Sequence, residues 1–131
     1  MIGRSLAGWL EYIERQHPQA IALGLERVIE VFSRLKIKFS CPILTVGGTN
    51  GKGSTCAMLE AVLSCAGYRA GLYTSPHLCK FVERIRIGGA PIGDDALETH
   101  LSAALAMGPE LSFFEAATLA ALLALESACV D

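Results

Sequence analysis

The chain has 131 residues, of which 52% are hydrophobic and 18% charged, and its formal net charge is −2. This length and composition can fill the core of one globular domain, so they exclude a disordered chain. A slightly acidic chain is also unlike proteins that bind the phosphate backbone of nucleic acids, which are usually basic. The longest apolar stretch, Ala116–Leu125, is too short to span a bilayer and predicts a buried helix.

Five cysteines are spread along the chain without a C-x-x-C pair. This pattern is typical neither of a disulfide framework nor of a zinc site, and it favours free thiols in a reducing compartment. The first twenty residues carry Glu11, Glu14 and Arg15 within a helical pattern, which is not the pattern of a secretory leader. We therefore expect a cytoplasmic protein that binds neither membrane nor nucleic acid.

The first forty residues are predicted to form two helices. Ser5 can cap the first helix, whose apolar stripe includes Trp9 and Ile13 and which ends at Pro18. The second helix begins after Gly24. This helical segment leads into the glycine-rich centre of the sequence.

A β-α-β unit is predicted next. The apolar run Ile43–Val46 is typical of a strand, a glycine-rich loop connects it to a helix over Ser54–Ala66, and a second strand covers Ala70–Thr74. Because such units join neighbouring strands by a right-handed crossover, we expect the two strands to be adjacent and parallel. The apolar side chains that the helix is expected to bury are Met58, Leu59, Val62 and Leu63.

The remainder of the chain is predicted to form a hairpin and two helices. Glu83–Ile87 and Ala90–Ile92 are joined by Gly88-Gly89, a typical hairpin turn. Asp94 can cap the next helix, and the last helix, Phe113–Ser127, is apolar on nearly every face and should be the most buried. The predicted fold class is α/β, with three layers, a parallel sheet and a small β-hairpin.

The glycine loop Gly47–Thr55 carries the strongest chemical signal. Glycines let the backbone curl closely around a phosphate, and the following helix adds its positive N-terminal end. Lys52 supplies a mobile charge for the outer phosphates. In the common P-loop a Ser or Thr that binds Mg²⁺ follows the lysine directly, whereas here Gly53 intervenes. This departure argues against a generic kinase or GTPase and leaves another hydroxyl to hold the metal.

Five segments in order along the chain carry a family resemblance. They are Leu23-Gly24-Leu25-Glu26-Arg27-Val28, Thr49-Asn50-Gly51-Lys52-Gly53-Ser54, Tyr73-Thr74-Ser75-Pro76-His77-Leu78, Glu83-Arg84-Ile85 and Ser112-Phe113-Phe114-Glu115. Together they resemble the folylpolyglutamate synthase/dihydrofolate synthase family of the Mur ligase superfamily, over essentially the whole chain. The Gly53-Ser54 pair after the lysine favours the folate branch over the peptidoglycan ligases.

The resemblance implies a P-loop-containing three-layer α/β/α domain, like the central domain of the Mur ligases. The chain would hold an incomplete, N-terminal portion of this ATP-binding domain. Its expected parts are a helical lead-in (1–40), the P-loop β-α-β unit (41–74), a substrate loop with a hairpin (75–93) and two helices (94–131).

The resemblance also implies the site residues. Lys52 is the catalytic lysine, and Ser75 supplies a hydroxyl to Mg²⁺. The residues that bind the ATP phosphates are Thr49, Asn50, Gly51, Lys52, Gly53, Ser54 and Thr55. The residues that border the pteroate or folate pocket are Pro76, His77, Ser112, Phe113, Phe114 and Glu115. Aromatic rings can stack on a flat heterocycle, and a carboxylate can accept from pterin N–H groups.

Several of these residues also have a structural interpretation. Phe113-Phe114 begins a very apolar helix and can simply pack in the core. Glu115 can be no more than a first-turn carboxylate that interacts favourably with the helix dipole. His77 can be a solvated side chain in a polar loop. Glu83-Arg84 can pair across the hairpin.

By this resemblance the chain is expected to be a segment of an ATP-dependent C–N ligase. The enzyme would add L-glutamate to dihydropteroate or reduced folates through an acyl phosphate, with ATP and Mg²⁺ as cofactors, and act as a monomer. In the family, a glutamate that binds Mg²⁺ and the amino-acid site follow the last helix, beyond Asp131. We therefore expect the 131-residue chain alone to be inactive. The alternative is a truncated, non-catalytic P-loop remnant that binds nucleotide.

Overall fold

The computed structural model describes residues 5–16, 24–108 and 110–131. Within these ranges the helices are α1 (Leu6–Gln16), α2 (Glu26–Leu35), α3 (Lys52–Cys65), α4 (Asp94–Met107) and α5 (Phe113–Ser127). The strands are β1 (Gly71–Tyr73), β2 (Ile85–Ile87) and β3 (Ala90–Pro91), and a short 3₁₀ helix spans Phe81–Arg84.

The chain divides into two compact units. The helical unit comprises Met1–Ile37 and Asp94–Ala124, and the sheet unit comprises Lys38–Gly93 and Leu125–Asp131. The helices α1, α2 and α4 therefore belong to the helical unit with most of α5, whereas α3 and the strands belong to the sheet unit.

The helical unit begins as the sequence predicts. Ser5 caps α1, because its Oγ accepts a hydrogen bond from the Gly8 amide at 3.4 Å. The predicted end of this helix at Pro18 lies outside the described residues. The second helix, α2, begins at Glu26, just after Gly24, whose φ of 110° few other residues adopt.

The core of the helical unit is built around α4, which packs against both α1 and α2. Leu97 and Leu101 of α4 are fully buried. Among the described helices α5 contributes the most buried side chains, which confirms the prediction from its composition. Gly108 ends α4 at a close approach, since a Cβ there would lie 2.4 Å from Val31 Cγ2. A larger residue would push α2 away from the end of α4.

The sheet of the sheet unit is antiparallel, in the order β1-β2-β3. Leu72 lies opposite Arg86, and Ile87 lies opposite Ala90. The hairpin predicted at Gly88-Gly89 is confirmed, and both glycines have positive φ, of 58° and 84°. Its first strand is shorter than expected, because the residues before Ile85 form the 3₁₀ helix.

One ion pair ties α3 to the sheet. Arg86 of β2 donates from Nε to both carboxylate oxygens of Glu60, at 3.0 and 2.9 Å. Glu60 is only 9% exposed, whereas the side chain of Arg86 is 33% exposed, so the carboxylate is the buried member of this ion pair. The face of α3 that meets the sheet is therefore anchored by a polar contact.

The opposite face of α3 differs from the prediction. Met58, Leu59 and Val62 are exposed rather than buried, Met58 by 69%, and only Leu63 is partly covered. Positions 58 and 62 lie on one helix face, and position 60 lies on the other. Because α3 turns Glu60 towards β2, the apolar side chains Met58 and Val62 on the other face of α3 are left uncovered.

The expected pairing of Ile43–Val46 with Ala70–Thr74 is not observed. Residues 42–48 form no regular structure, and β1 pairs with β2 in the antiparallel sense. Parallel strands are stable when both of their faces are covered. Ile43 and Leu44 are 68% and 65% exposed, so burial provides nothing to offset the cost of fixing this backbone as a strand.

Candidate functional site

The glycine loop leads directly into α3. Gly51 is the residue before the helix, with a φ of 77°, and Gly48 has a φ of 151°. An added Cβ at Gly51 would meet no atom within 4 Å, so the left-handed backbone rather than crowding explains this glycine. The loop is exposed to solvent along its length.

The N-terminal end of α3 is open to an anion. No side chain caps it, and its first turn carries no acidic residue. The first amides of a helix have no partner within the helix, and the helix dipole makes this end positive. Helix starts of this kind, preceded by a glycine loop, bind phosphate groups.

Lys52 lies across the loop that precedes it. Its Nζ donates to the carbonyl oxygens of Gly48 at 2.6 Å and Thr49 at 3.3 Å. The ammonium group is therefore held against the glycine loop that leads into α3, on an exposed surface. A positive helix end, positive-φ glycines and one lysine are the donor set that a triphosphate requires, so these residues fit the phosphates of ATP.

The loop after β1 carries Ser75, Pro76 and His77. Ser75 is exposed, and the Ser75–Pro76 peptide bond is cis. The exposed Ser75 is accessible to a ligand, and its role as a metal ligand stays a prediction. Among the described residues no group of three His, Cys, Asp or Glu side chains is placed to hold a metal ion. A hydroxyl here fits Mg²⁺ only together with phosphate oxygens and water.

His77 has a partner, so the solvated interpretation is wrong for it. Its Nδ1 accepts a hydrogen bond from Arg84 Nε at 2.9 Å, and its ring lies edge-on to Phe81 with centroids 5.9 Å apart. The Arg84 guanidinium also lies over the Phe81 ring, 5.0 Å from its centroid. Because Nδ1 accepts, Nε2 is the nitrogen through which His77 can donate.

Glu83 and Arg84 do not pair across the hairpin, because both precede it. The Glu83 carboxylate instead accepts hydrogen bonds from three successive amides, those of Leu78 at 3.0 Å, Cys79 at 3.2 Å and Lys80 at 2.8 Å. These bonds, that of Lys80 first, lower the pKa of Glu83 below its ordinary value. The ionised carboxylate therefore holds the backbone of residues 78–80 in place.

Ser112 and Glu115 form the N-terminal cap of α5. The Glu115 carboxylate accepts from the Ser112 amide at 2.7 Å, and the Glu115 amide donates to Ser112 Oγ at 3.4 Å. This reciprocal pair is the capping box that Ser-x-x-Glu predicts. Glu115 therefore does act in the first turn of α5, as its structural interpretation predicts.

Glu115 has a second partner, Arg27 of α2. The Arg27 guanidinium donates to both carboxylate oxygens, from Nη2 at 2.9 Å and from Nε at 3.3 Å. Burial raises the pKa of Glu115, but the hydrogen bonds from Arg27 and Ser112 outweigh it and hold this pKa below its ordinary value. The contact joins two of the family motifs, which lie 88 residues apart.

The two phenylalanines differ in exposure. Phe114 is 54% exposed, whereas Phe113 is partly covered. The core-packing interpretation therefore does not describe Phe114, which presents part of its ring to solvent. An exposed aromatic ring at the start of a helix is available for stacking.

The structure places the predicted residues in two groups. The glycine loop and the Ser75–His77 loop belong to the sheet unit, and Ser112–Glu115 belongs to the helical unit. Sequence reasoning assigned no definite role to Arg27, Glu83 and Arg84, although all three lie in the family motifs. The sequence carried no signal for their partners, because these lie on the backbone or in other segments of the chain.

No family model matches the sequence. Among curated proteins, the dihydrofolate synthase/folylpolyglutamate synthase of Escherichia coli is 42% identical over 129 residues, which cover 96% of this chain and 31% of that protein. The chain therefore spans about a third of the length of the curated relatives it matches most extensively.

Solved structures give the same relationship. E. coli FolC in complex with DHPP and ADP superimposes with a TM-score of 0.92 at 42% identity, over 98% of this chain and 32% of that one. The Yersinia pestis bifunctional folylpolyglutamate synthase/dihydrofolate synthase, complexed with AMPPNP and Mn ion, gives 0.91 at 45% identity, with the same coverage. These neighbours confirm the predicted α/β fold class. No described helix combines the length and the hydropathy that a membrane crossing needs.

Proposed function

Because the chain is homologous to the N-terminal part of the dihydrofolate synthase/folylpolyglutamate synthase family, we propose that it supplies the phosphate-binding part of an ATP-dependent ligase. The ligase would add L-glutamate to dihydropteroate or to reduced folates. The observation that carries this proposal is the glycine loop, which leads into an uncapped helix end with Lys52 folded across it. Relatives of this chain were solved with ADP and with AMPPNP, which supports a nucleotide as the ligand.

The proposed reaction forms an amide bond in two steps. The substrate carboxylate attacks the γ-phosphorus of ATP, which gives an acyl phosphate and releases ADP. The amine of glutamate then attacks the acyl carbon, inorganic phosphate leaves, and the amine proton passes to solvent. In this scheme Lys52 and the first amides of α3 offset the charge that develops on the transferred phosphoryl group.

The remaining site residues have proposed roles around this centre. The residues that hold the phosphates are Thr49, Asn50, Gly51, Lys52, Gly53, Ser54 and Thr55. Ser75 supplies a hydroxyl to Mg²⁺, which when bound neutralises charge on the phosphates. The residues that border the pteroate are Pro76, His77, Ser112, Phe113, Phe114 and Glu115. The bonds of Glu115 to Arg27 and Ser112 support a role in which it also fixes Phe114 at the start of α5.

We propose further that the 131-residue chain alone binds nucleotide but does not complete the reaction. Ser75 is one metal ligand, and Mg²⁺ requires near-octahedral oxygen coordination to orient a phosphoryl group. The domain division proposed from the sequence, with a lead-in to residue 40 and the P-loop unit over 41–74, stays a proposal. A cytoplasmic location is also proposed, supported by the five free thiols, and the family resemblance adds the proposal of a monomer.

Calorimetric titration with AMPPNP tests the nucleotide proposal. We expect saturable binding to the chain and a loss of about 10-fold or more in affinity for Lys52→Ala, the loss that removal of one charged hydrogen bond gives. Lys38→Ala is the matched control, because it removes the same charge from the same unit outside the loop. Equal affinities for Lys52→Ala and the wild type would reject the P-loop assignment.

Phosphate release distinguishes the ligase from a non-catalytic nucleotide-binding remnant. We expect no glutamate-dependent phosphate release from ATP by the chain with dihydropteroate or tetrahydrofolate. When the same residues form part of a full-length synthase, release should depend on both glutamate and Lys52. Turnover by the 131-residue chain at the rate of a full-length ligase would contradict the expectation of inactivity.

A further inference from the structure

The loop between β1 and the 3₁₀ helix is fixed by contacts to two adjacent residues, Glu83 and Arg84. Hydrogen bonds to Glu83 or Arg84 are made by Thr74, His77, Leu78, Cys79 and Lys80. Ser75 and Pro76 lie between the first two of these residues and are exposed. The hydroxyl of Ser75, the proposed metal ligand, thus lies between two residues that both contact Arg84.

The two residues act on different parts of the loop. Arg84 accepts the Thr74 amide at its carbonyl oxygen, 2.8 Å away, and donates to His77 through its guanidinium. Glu83 holds the residues that follow His77, through three amides that bind one carboxylate. Arg84 is only 9% exposed and is further supported by Phe81, so this anchor is itself fixed.

A loop without regular structure needs such anchors to present a ligand in one geometry. Fixing backbone torsions costs conformational entropy, and an exposed loop buries little apolar surface to offset it. Hydrogen bonds from amides to an ionised carboxylate are stronger than bonds between neutral groups. The lowered pKa of Glu83 agrees with this, because the amide bonds, that of Lys80 first, stabilise the ionised carboxylate.

We infer that Glu83, together with Arg84, is a positioning residue that sets the geometry of the Ser75–His77 loop towards the metal and the phosphates. This inference rests on the proposed function, since it assumes a nucleotide at the glycine loop. Glu83 acts through the loop and does not itself contact the nucleotide. Residues that orient a metal ligand in this way typically change metal affinity by about 10–100-fold when they are removed.

The test measures how strongly Mg²⁺ improves nucleotide affinity. AMPPNP is titrated into the 131-residue chain with and without Mg²⁺, and the ratio of the two affinities is compared among Ser75→Ala, Glu83→Ala and the double variant. We expect each single variant to lower the ratio by roughly 10-fold or more. The double variant should lower it no further than Ser75→Ala alone, because Glu83 acts through Ser75.

A conservative variant and a control make the result specific. Glu83→Gln keeps a carbonyl oxygen that can accept a hydrogen bond from an amide, so its affinity ratio should lie between those of Glu83→Ala and the wild type. The same variant replaces Glu83→Ala in the test if Glu83→Ala does not fold. Glu126→Gln, on α5, removes the same charge elsewhere and should leave the ratio unchanged. Amide hydrogen exchange at Leu78, Cys79 and Lys80 should be faster in Glu83→Ala than in the wild type.

The outcomes separate this inference from the function on which it rests. If Ser75→Ala lowers the ratio but both Glu83 variants match the wild type, the inference is overturned and the proposed function stands. Additive losses in the double variant would also overturn it, because Glu83 would then act independently of Ser75. If the wild-type chain does not bind AMPPNP at all, both the inference and the proposed function fail.

Discussion

The helical unit and the sheet unit use their apolar residues in opposite ways. In the helical unit α4 is covered by α1 and α2, and Leu97 and Leu101 are completely buried. In the sheet unit Met58 and Val62 of α3 are exposed by 69% and 65%, while the buried side chain of that helix is Glu60. The comparison separates stability from the proposed chemistry: apolar packing is concentrated in the helical unit, and the glycine loop, the proposed phosphate site, is in the unit with the less complete core.

The two units should differ most in the stability lost when one apolar side chain in each is shortened to alanine. Leu101→Ala leaves a cavity in the helical unit and should lower the free energy of unfolding by about 2–5 kcal/mol. Val62→Ala removes an exposed side chain and should change it by about 0.5 kcal/mol or less. Urea unfolding followed by circular dichroism measures both, and equal losses would contradict the comparison.

A smaller effect is expected from the ion pair of the helical unit. Arg27→Ala leaves the Glu115 carboxylate, whose side chain is 7% exposed, without its charged partner. We expect the free energy of unfolding to fall by about 1–3 kcal/mol, the range for a hydrogen bond to a charged group. Arg15→Ala is the matched control, because its ion pair with Glu11 is exposed and should contribute about 0.5 kcal/mol or less. An equal loss in the free energy of unfolding for Arg27→Ala and Arg15→Ala would show that burial of Glu115 does not strengthen its ion pair.

The same carboxylate makes stability depend on pH. The pKa of this carboxylate is lowered in the folded chain, so folding favours its ionised form. Its contribution to the free energy of unfolding is therefore complete above the ordinary pKa of a glutamate, about 4.3. This contribution is lost as the pH falls towards the lower, folded pKa. We expect the melting temperature of the wild type to drop more steeply below about pH 4.3 than that of Glu115→Gln. Parallel pH profiles for the two proteins would contradict this assignment.

Much of the local structure could be predicted from the sequence, because its signals are short in range. Ser5 at the start of α1, the Gly88-Gly89 turn and the capping box of Ser112 and Glu115 each depend on residues a few positions apart. The glycine loop could be singled out in the same way, since the phosphate-binding function proposed for it requires glycines and a lysine within one turn of a helix.

The contacts that were missed join residues far apart in the sequence or run from side chain to backbone. The pair of Arg27 with Glu115 spans 88 residues, and no local pattern indicates it. Glu83 binds amides, which every residue carries, so its partners leave no mark in the sequence. The strand expected at Ile43–Val46 failed for a third reason. Its apolar pattern is sufficient for a strand only where neighbouring elements cover both faces, and coverage is a tertiary property.

The most direct test of the account maps nucleotide binding onto the two units by NMR. AMPPNP is titrated into the uniformly ¹⁵N-labelled chain, and the amide shifts are followed residue by residue. We predict saturable shifts concentrated in residues 48–55, at the glycine loop and the start of α3, with little change in the helical unit and loss of these shifts in Lys52→Ala. Shifts centred instead on Arg27 and Arg34 of α2, or shifts that persist in Lys52→Ala, would contradict the claim that the glycine loop is the phosphate site.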